Sequence, residues 1–176
     1  MAKTTARARD KIHSRKALRG ILARQRRAGR RICFTNGCFD VLHIGHVRAL
    51  EQAASFGDLL VVGLNRDKRV RELKGPGRPV LPERQRAELV AGLAVVDYVV
   101  LFGEATPVEL IRALEPDVVC KGGEYRGTRP PEQETIEALG GEFALLRQTP
   151  GVRSSLLLQR AGGASGDPPR RSRCGS

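Results

Sequence analysis

Two of the chain's three histidines, His43 and His46, stand three residues apart in the run FTNGCFDVLHIGH at residues 34–46. At the start of a helix, residues at that spacing share one face, so both imidazoles would point the same way. Gly45 between them removes a side chain where a ligand could approach the backbone. The first turn of a helix offers unpaired N–H groups and partial positive charge, a setting that favours phosphate. Two imidazoles there add donors for the negative charge that builds on phosphate oxygens during in-line displacement. On the residues alone two other readings stay open: a structural cap of the helix, or half of a zinc site. The zinc reading lacks a third ligand at a suggestive spacing, because His13 lies in a basic leader.

The usual phosphate loops are absent. No G-x-x-x-x-G-K-[ST] occurs, and GPGRPV at 75–80 lacks the third glycine of a dinucleotide fingerprint. Phosphates would therefore have to be held by other means, which places the weight on the elements around the histidine pair.

Those elements alternate. The spacing of Leu18, Ile21 and Leu22 predicts a helix over 14–28 with Ser14 as N-cap and Gly29 as its stop. Short apolar runs at 32–37, 58–65, 97–102, 117–122 and 142–147 read as strands. Helical patterns at 43–57, about 83–94, 106–115, 132–141 and 154–160 fall between or after them, and residues 66–82 read as a polar connection. This order predicts an α/β fold, a Rossmann-like doubly wound parallel sheet of about five strands. Residues 1–13 are expected as a flexible basic leader, 14–160 as the domain and 161–176 as a disordered tail. In such sheets ligands sit beyond the carboxyl ends of the strands where the order switches. The turns after residues 35, 65 and 120 should therefore share one rim.

Composition narrows the classes. The 176 residues carry a formal charge of +12, but residues 1–31 hold twelve Lys/Arg against one acid, residues 161–176 three against one, and residues 32–160 sixteen against seventeen. The basicity lies in the ends, and only 4% of residues are aromatic, so specific nucleic-acid binding is not expected. No apolar run approaches a membrane span and no secretory signal opens the chain, so a cytoplasmic protein is expected. Cys33, Cys38, Cys120 and Cys174 form no zinc or CxxC spacing; Cys33 and Cys120 read as buried thiols and Cys38 as loop packing beside Gly37.

The run from Phe39-Asp40 to His43-Ile44-Gly45-His46 resembles the first signature of the cytidylyltransferase-like nucleotidyltransferases, HxGH. TNGCFD, KGPGRPVLPERQRAELVAGLAVVDYVVLFGEATP and PDVVCKGGEY together resemble the adenylyltransferase domain of bacterial ADP-heptose synthesis, over roughly residues 11–160. Some relatives fuse that domain to a sugar kinase, and the resemblance here is to the stand-alone form. It implies that His43 and His46 contact the triphosphate and stabilise the transition state, that Lys74 closes onto the phosphates, and that Arg86 grips phosphate. It further implies nucleotide contacts from Thr35, Asn36, Gly37, Cys38, Phe39, Asp40 and Gly45, from Gly122, Gly123 and Glu124, and from Ser154 and Ser155. Asp40 would orient the loop or a Mg²⁺-bound water. Glu124 stands where relatives more often carry aspartate, and GVRSSL at 151–156 departs from the family's Gly-x-Ser-Thr-Thr/Ser run.

The resemblance implies an enzyme that transfers AMP from ATP to D-glycero-β-D-manno-heptose 1-phosphate. Mg²⁺ would be held mainly by the nucleotide phosphates, with no metal site built from side chains alone, and a homodimer is allowed for. The competing readings are a cytidylyltransferase for glycerol phosphate or another small phosphorylated alcohol, and a non-enzymatic polyanion binder driven by the basic ends.

Overall fold

The apolar runs pair side by side in one parallel sheet. The computed structural model describes residues 7–151 together with Ser154, Leu157 and Leu158. Its strands are β1 (Ile12–His13), β2 (Ile32–Gly37), β3 (Leu59–Asn65), β4 (Tyr98–Phe102), β5 (Val118–Lys121) and β6 (Glu142–Leu145), in the order β1-β4-β3-β2-β5-β6. The chain steps outward from β2 through β3 to β4, then crosses back to place β5 and β6 on the other side of β2. The switch point therefore lies between β2 and β5, with Thr35 opposite Cys120 in the last register pair.

Among the described residues the sheet has six strands, one more than the apolar runs alone mark. The extra strand comes from the segment expected as a flexible leader: Ala8–Lys11 forms a 3-10 turn, and Ile12 and His13 pair with Val99 and Val100. A two-residue strand has no periodicity of its own. It is fixed by tertiary contacts, with Lys11 Nζ donating to the carbonyls of Leu93 and Val96 and the His13 ring tilted on Tyr98 at 5.6 Å.

Alternation along the strands divides the core in two. Cys33, Leu60, Val62, Leu64, Val99, Val118 and Cys120 face α2 (Ile44–Ala54) and α4 (Glu83–Ala91). Ile32, Phe34, Val61, Val100, Phe102 and Val119 face α1 (Arg15–Arg27), α5 (Val108–Leu114) and α6 (Pro131–Ala138). Helix α1 starts at Ser14, whose Oγ accepts from the Ala17 N–H, and presents Leu18 and Leu22 to the sheet with no exposure. Each of those leucines contributes about 2 kcal/mol of burial. The link between β3 and α4 is not a plain polar connection, because residues Asp67–Lys74 form α3. That helix buries only Val70, so its charged sequence carries almost no apolar stripe to betray it.

Candidate active site

The loop from β2 into α2 is shaped by one unusual residue. Phe39 adopts φ 46°, a left-handed conformation that costs a bulky side chain about 1 kcal/mol or more. Its ring occupies the space a Cβ at Gly37 would need, only 3.1 Å away, and packs tilted against His46 at a centroid distance of 5.2 Å. The Phe39 ring thus packs between Gly37 and His46.

His43 is the N-cap of α2 and His46 lies one turn on. The two rings stack at 3.8 Å with an interplanar angle of 18°, and both Nδ1 atoms are buried with no hydrogen-bond partner. Burial lowers the pKa of His43, and Lys74 lowers it further. Burial, then His43 and Lys74, push His46 down to about 4. Both imidazoles are therefore neutral near pH 7. Lys74, the exposed last residue of α3, is near enough for its positive charge to act on both rings. Gly45 lies within the first turn of α2, between the two histidines.

Arg86 differs from expectation. The sequence reading sets it on a phosphate, but the structure buries it completely and spends its guanidinium inside the protein. Nε donates to Leu81 O at 2.9 Å, Nη1 to Cys38 O, and Nη2 to Asn65 O at 2.9 Å and to Asp67 Oδ1 at 2.7 Å. It ties together the ends of β2 and β3, the start of α3 and the loop before α4.

Asp40, with no exposure, completes this clamp. Its Oδ1 accepts from the Val80 and Leu81 N–H groups, and Oδ2 pairs with Arg78 Nε at 2.9 Å. The carboxylate thereby holds the GRPV loop through Oδ1, while Oδ2, buried in the ion pair with Arg78, makes no hydrogen bond of its own. Among the described residues no group of three His, Cys, Asp or Glu side chains is placed to hold a metal ion.

Across the switch point, Thr35 is 6% exposed and its Oγ1 donates to Cys120 O, so its hydroxyl serves the sheet. Asn36 is half-buried at the strand end, and its Oδ1 accepts from Lys121 Nζ at 2.9 Å. Gly122 leads into a 3-10 turn at Gly123–Tyr125 that includes Glu124. A Cβ at Gly123 would stand 3.1 Å from Leu146 O and from Gln148 Cγ, so this glycine admits the chain's own neighbouring segment rather than opening space. Cys38 is half-buried, with Sγ 3.9 Å from Asn65 Oδ1, while burial pushes Cys33 up to about 11 and Cys120 up to about 12. Ser154 is buried; Ser155, Arg153, Leu156 and Cys174 lie outside the described residues.

Three residues of this architecture escaped the sequence reading as functional candidates: Arg78, Asp67 and Glu132. Each works through a partner distant in sequence, and a charged residue in a loop or first helical turn looks like solvated surface. For Lys121 one signal existed, because it closes the otherwise apolar strand VVCK.

The chain is similar in sequence and fold to known proteins. The sequence profile of the Cytidylyltransferase-like family matches residues 34–158. The chain is 45% identical over 151 residues to the bifunctional protein HldE of Syntrophotalea carbinolica, covering 86% of this chain and 31% of that protein. It is also 45% identical over 150 residues to HldE of Geotalea uraniireducens, covering 85% and 31%. The chain thus spans about a third of the length of these curated relatives. Among solved structures, the lipopolysaccharide core biosynthesis protein of Thermoplasma volcanium superposes with a TM-score of 0.59 at 29% identity, over 69% of this chain and 98% of that one. Pantoate-beta-alanine ligase of Francisella tularensis, at 14% identity and a TM-score of 0.54, shares the fold alone.

Proposed function

Because the chain belongs to the cytidylyltransferase-like family, we propose that it is an adenylyltransferase joining AMP from ATP to D-glycero-β-D-manno-heptose 1-phosphate. The observation that carries this reading is the stacked His43–His46 pair at the start of α2, with unpartnered Nδ1 atoms and Lys74 alongside. In the reaction an oxygen of the sugar phosphate attacks the α-phosphorus, a new P–O bond forms, and the bond to pyrophosphate breaks. The acceptor phosphate is already anionic, so no general base is required.

What the site must supply is neutralisation of charge that grows on the α-phosphate and on the leaving pyrophosphate. The N–H groups at the start of α2, the two imidazoles and Lys74 suit that role. Neutral imidazoles admit a triphosphate without first forcing two stacked cations together; the approaching anion then favours their protonation. Mg²⁺ bound to the nucleotide would shield the phosphate oxygens. Arg86 and Asp40 act at one remove, holding the Cys38–Asp40 loop and residues 78–81 in register. The choice of ATP and heptose phosphate rests on the resemblance of KGPGRPV, VDYVVLF and CKGGEY, supported by the identity to HldE.

The test is pyrophosphate release from each nucleoside triphosphate with a panel of sugar and polyol phosphates. ATP with heptose 1-phosphate should give the highest kcat/KM. Release only with CTP and glycerol phosphate would replace this reading by the cytidylyl one.

A further inference from the structure

At the switch point a buried ion pair stands behind a residue of the candidate nucleotide site. Lys121 ends β5 and is 4% exposed; Glu132, in the first turn of α6, is 5% exposed. Lys121 Nζ lies 2.9 Å from Glu132 Oε1, donates to Asn36 Oδ1 at 2.9 Å, and sits 4.8 Å from the centroid of the Tyr125 ring. The three ammonium directions are thus shared among a carboxylate, an amide oxygen and an aromatic face. Glu132 draws additional support from the N-terminal end of α6, where a carboxylate is favoured. With its charge matched inside the protein, Lys121 is poorly suited to serve as a free cation for a phosphate. Such a pair is costly to bury and brings little net stability, which leaves open what it does.

We infer that Lys121 and Glu132 are positioning residues that fix the side-chain amide of Asn36, so that its Nδ2 group is offered as a donor to an acceptor atom of the bound nucleotide. The chemistry is one-sided. An ammonium has donors and no acceptor, so only Oδ1 of Asn36 can face it, and the amide is held with Nδ2 directed away. Asn36, next to last in β2, and Lys121, last in β5, lie at the carboxyl ends of the two strands that flank the switch point, the crevice where ligands bind in open parallel sheets. Asn36 lies on the face of the sheet opposite the histidine pair. It would therefore meet a different part of the nucleotide from the phosphates that His43 and His46 attend. Holding the amide in one of its two orientations removes a rotational choice before binding, which is the benefit of preorganisation.

This inference rests on the nucleotidyl-transfer reading only for the presence of a nucleotide, so binding and turnover test the two separately. The experiment measures the ATP dissociation constant by calorimetry, the thermal midpoint, and ATP KM and kcat with whichever acceptor the wild-type protein uses. Replacing both partners by apolar residues, Lys121→Met with Glu132→Leu, avoids a lone buried charge and should leave the midpoint close to wild type. Its ATP affinity and KM should worsen by about fivefold to tenfold, the value of one well-placed hydrogen bond, with kcat changed far less. Adding Asn36→Ala to that background should cost little more, whereas Asn36→Ala alone should cost a similar factor.

In the otherwise wild-type chain, Asn36→Asp should bind ATP more weakly than Asn36→Ala, because it removes the Nδ2 donor and sets an acceptor in its place. This comparison stands even if the double variant fails to fold. A folded double variant with wild-type ATP affinity would overturn the inference, as would full additivity with Asn36→Ala or an Asn36→Asp variant that binds as tightly as Asn36→Ala. Wild-type binding of ATP without turnover of any acceptor would instead count against the proposed reaction, leaving these binding comparisons valid.

Discussion

Replacing Arg86 by lysine separates two roles that the sequence alone could not. The arginine is fully buried and makes four hydrogen bonds, to three backbone carbonyls and to Asp67. A lysine keeps the charge but has a single nitrogen, and it cannot span Leu81, Cys38, Asn65 and Asp67 at once. At least two buried acceptors then lose their donor, at about 1–3 kcal/mol each. The expected loss is about 3 kcal/mol, and about 5 kcal/mol for Arg86→Met, where Asp67 also loses its counter-charge. Against a domain stability of about 5–15 kcal/mol these are large fractions. For a domain of this size the lysine variant should melt about 10 °C lower. Urea unfolding followed by far-ultraviolet circular dichroism reads the loss directly, and ATP KM measured well below the new melting point reads any separate effect on the nucleotide. A lysine variant with unchanged stability and a sharply raised KM would refute the clamp and restore the arginine to a phosphate.

The histidine pair makes stability depend on acid. His46 has a folded pKa of about 4 against an unfolded value of 6.5. The unfolded chain takes up a proton first as pH falls below 6.5, so stability drops between pH 6.5 and 4, by about 3 kcal/mol in all, and the contribution is then spent. Unfolding of His46→Ala at pH 7.5 and 4.5 should lack this part of the slope; an identical slope would contradict it. Lys74 is exposed, so Lys74→Ala should change stability by less than about 0.5 kcal/mol while raising the pKa of both histidines in an NMR titration. Unmoved imidazole titrations would place Lys74 elsewhere. Asp40→Asn leaves Arg78 without its buried counter-charge and should cost about 3 kcal/mol in urea unfolding; near-normal stability would deny the Asp40–Arg78 clamp.

Much of the fold was legible because strands buried on both faces announce themselves as apolar runs. ICFTNG matched its strand to the residue, and Ser14 and Gly29 bounded the first helix as their chemistry requires. The parts that were missed lack such local marks. Strand β1 is two residues long and depends on β4, while α3 buries one valine among charges. In the candidate site, the juxtaposition of His43 and His46 at the start of α2 was legible because their spacing is itself the signal. Arg86 could be found as a residue that mattered, but its direction could not: an arginine on a helix after a loop looks the same whether it faces solvent, a phosphate or three carbonyls. Glu132 and Arg78 gave no sign, since each has meaning only beside a partner that the folded chain brings to it.

Whether the His43–His46 pair catalyses nucleotidyl transfer is decided by pyrophosphate release from wild type and His46→Ala. Both proteins should show the same folded spectrum at pH 7.5 and bind ATP within about tenfold of each other, since the loss expected is of transition-state rather than ground-state contacts. With ATP and heptose 1-phosphate, His46→Ala should turn over at least about a hundredfold more slowly than wild type, the usual cost of removing a donor aimed at developing charge. Wild-type turnover in the folded His46→Ala protein would contradict it.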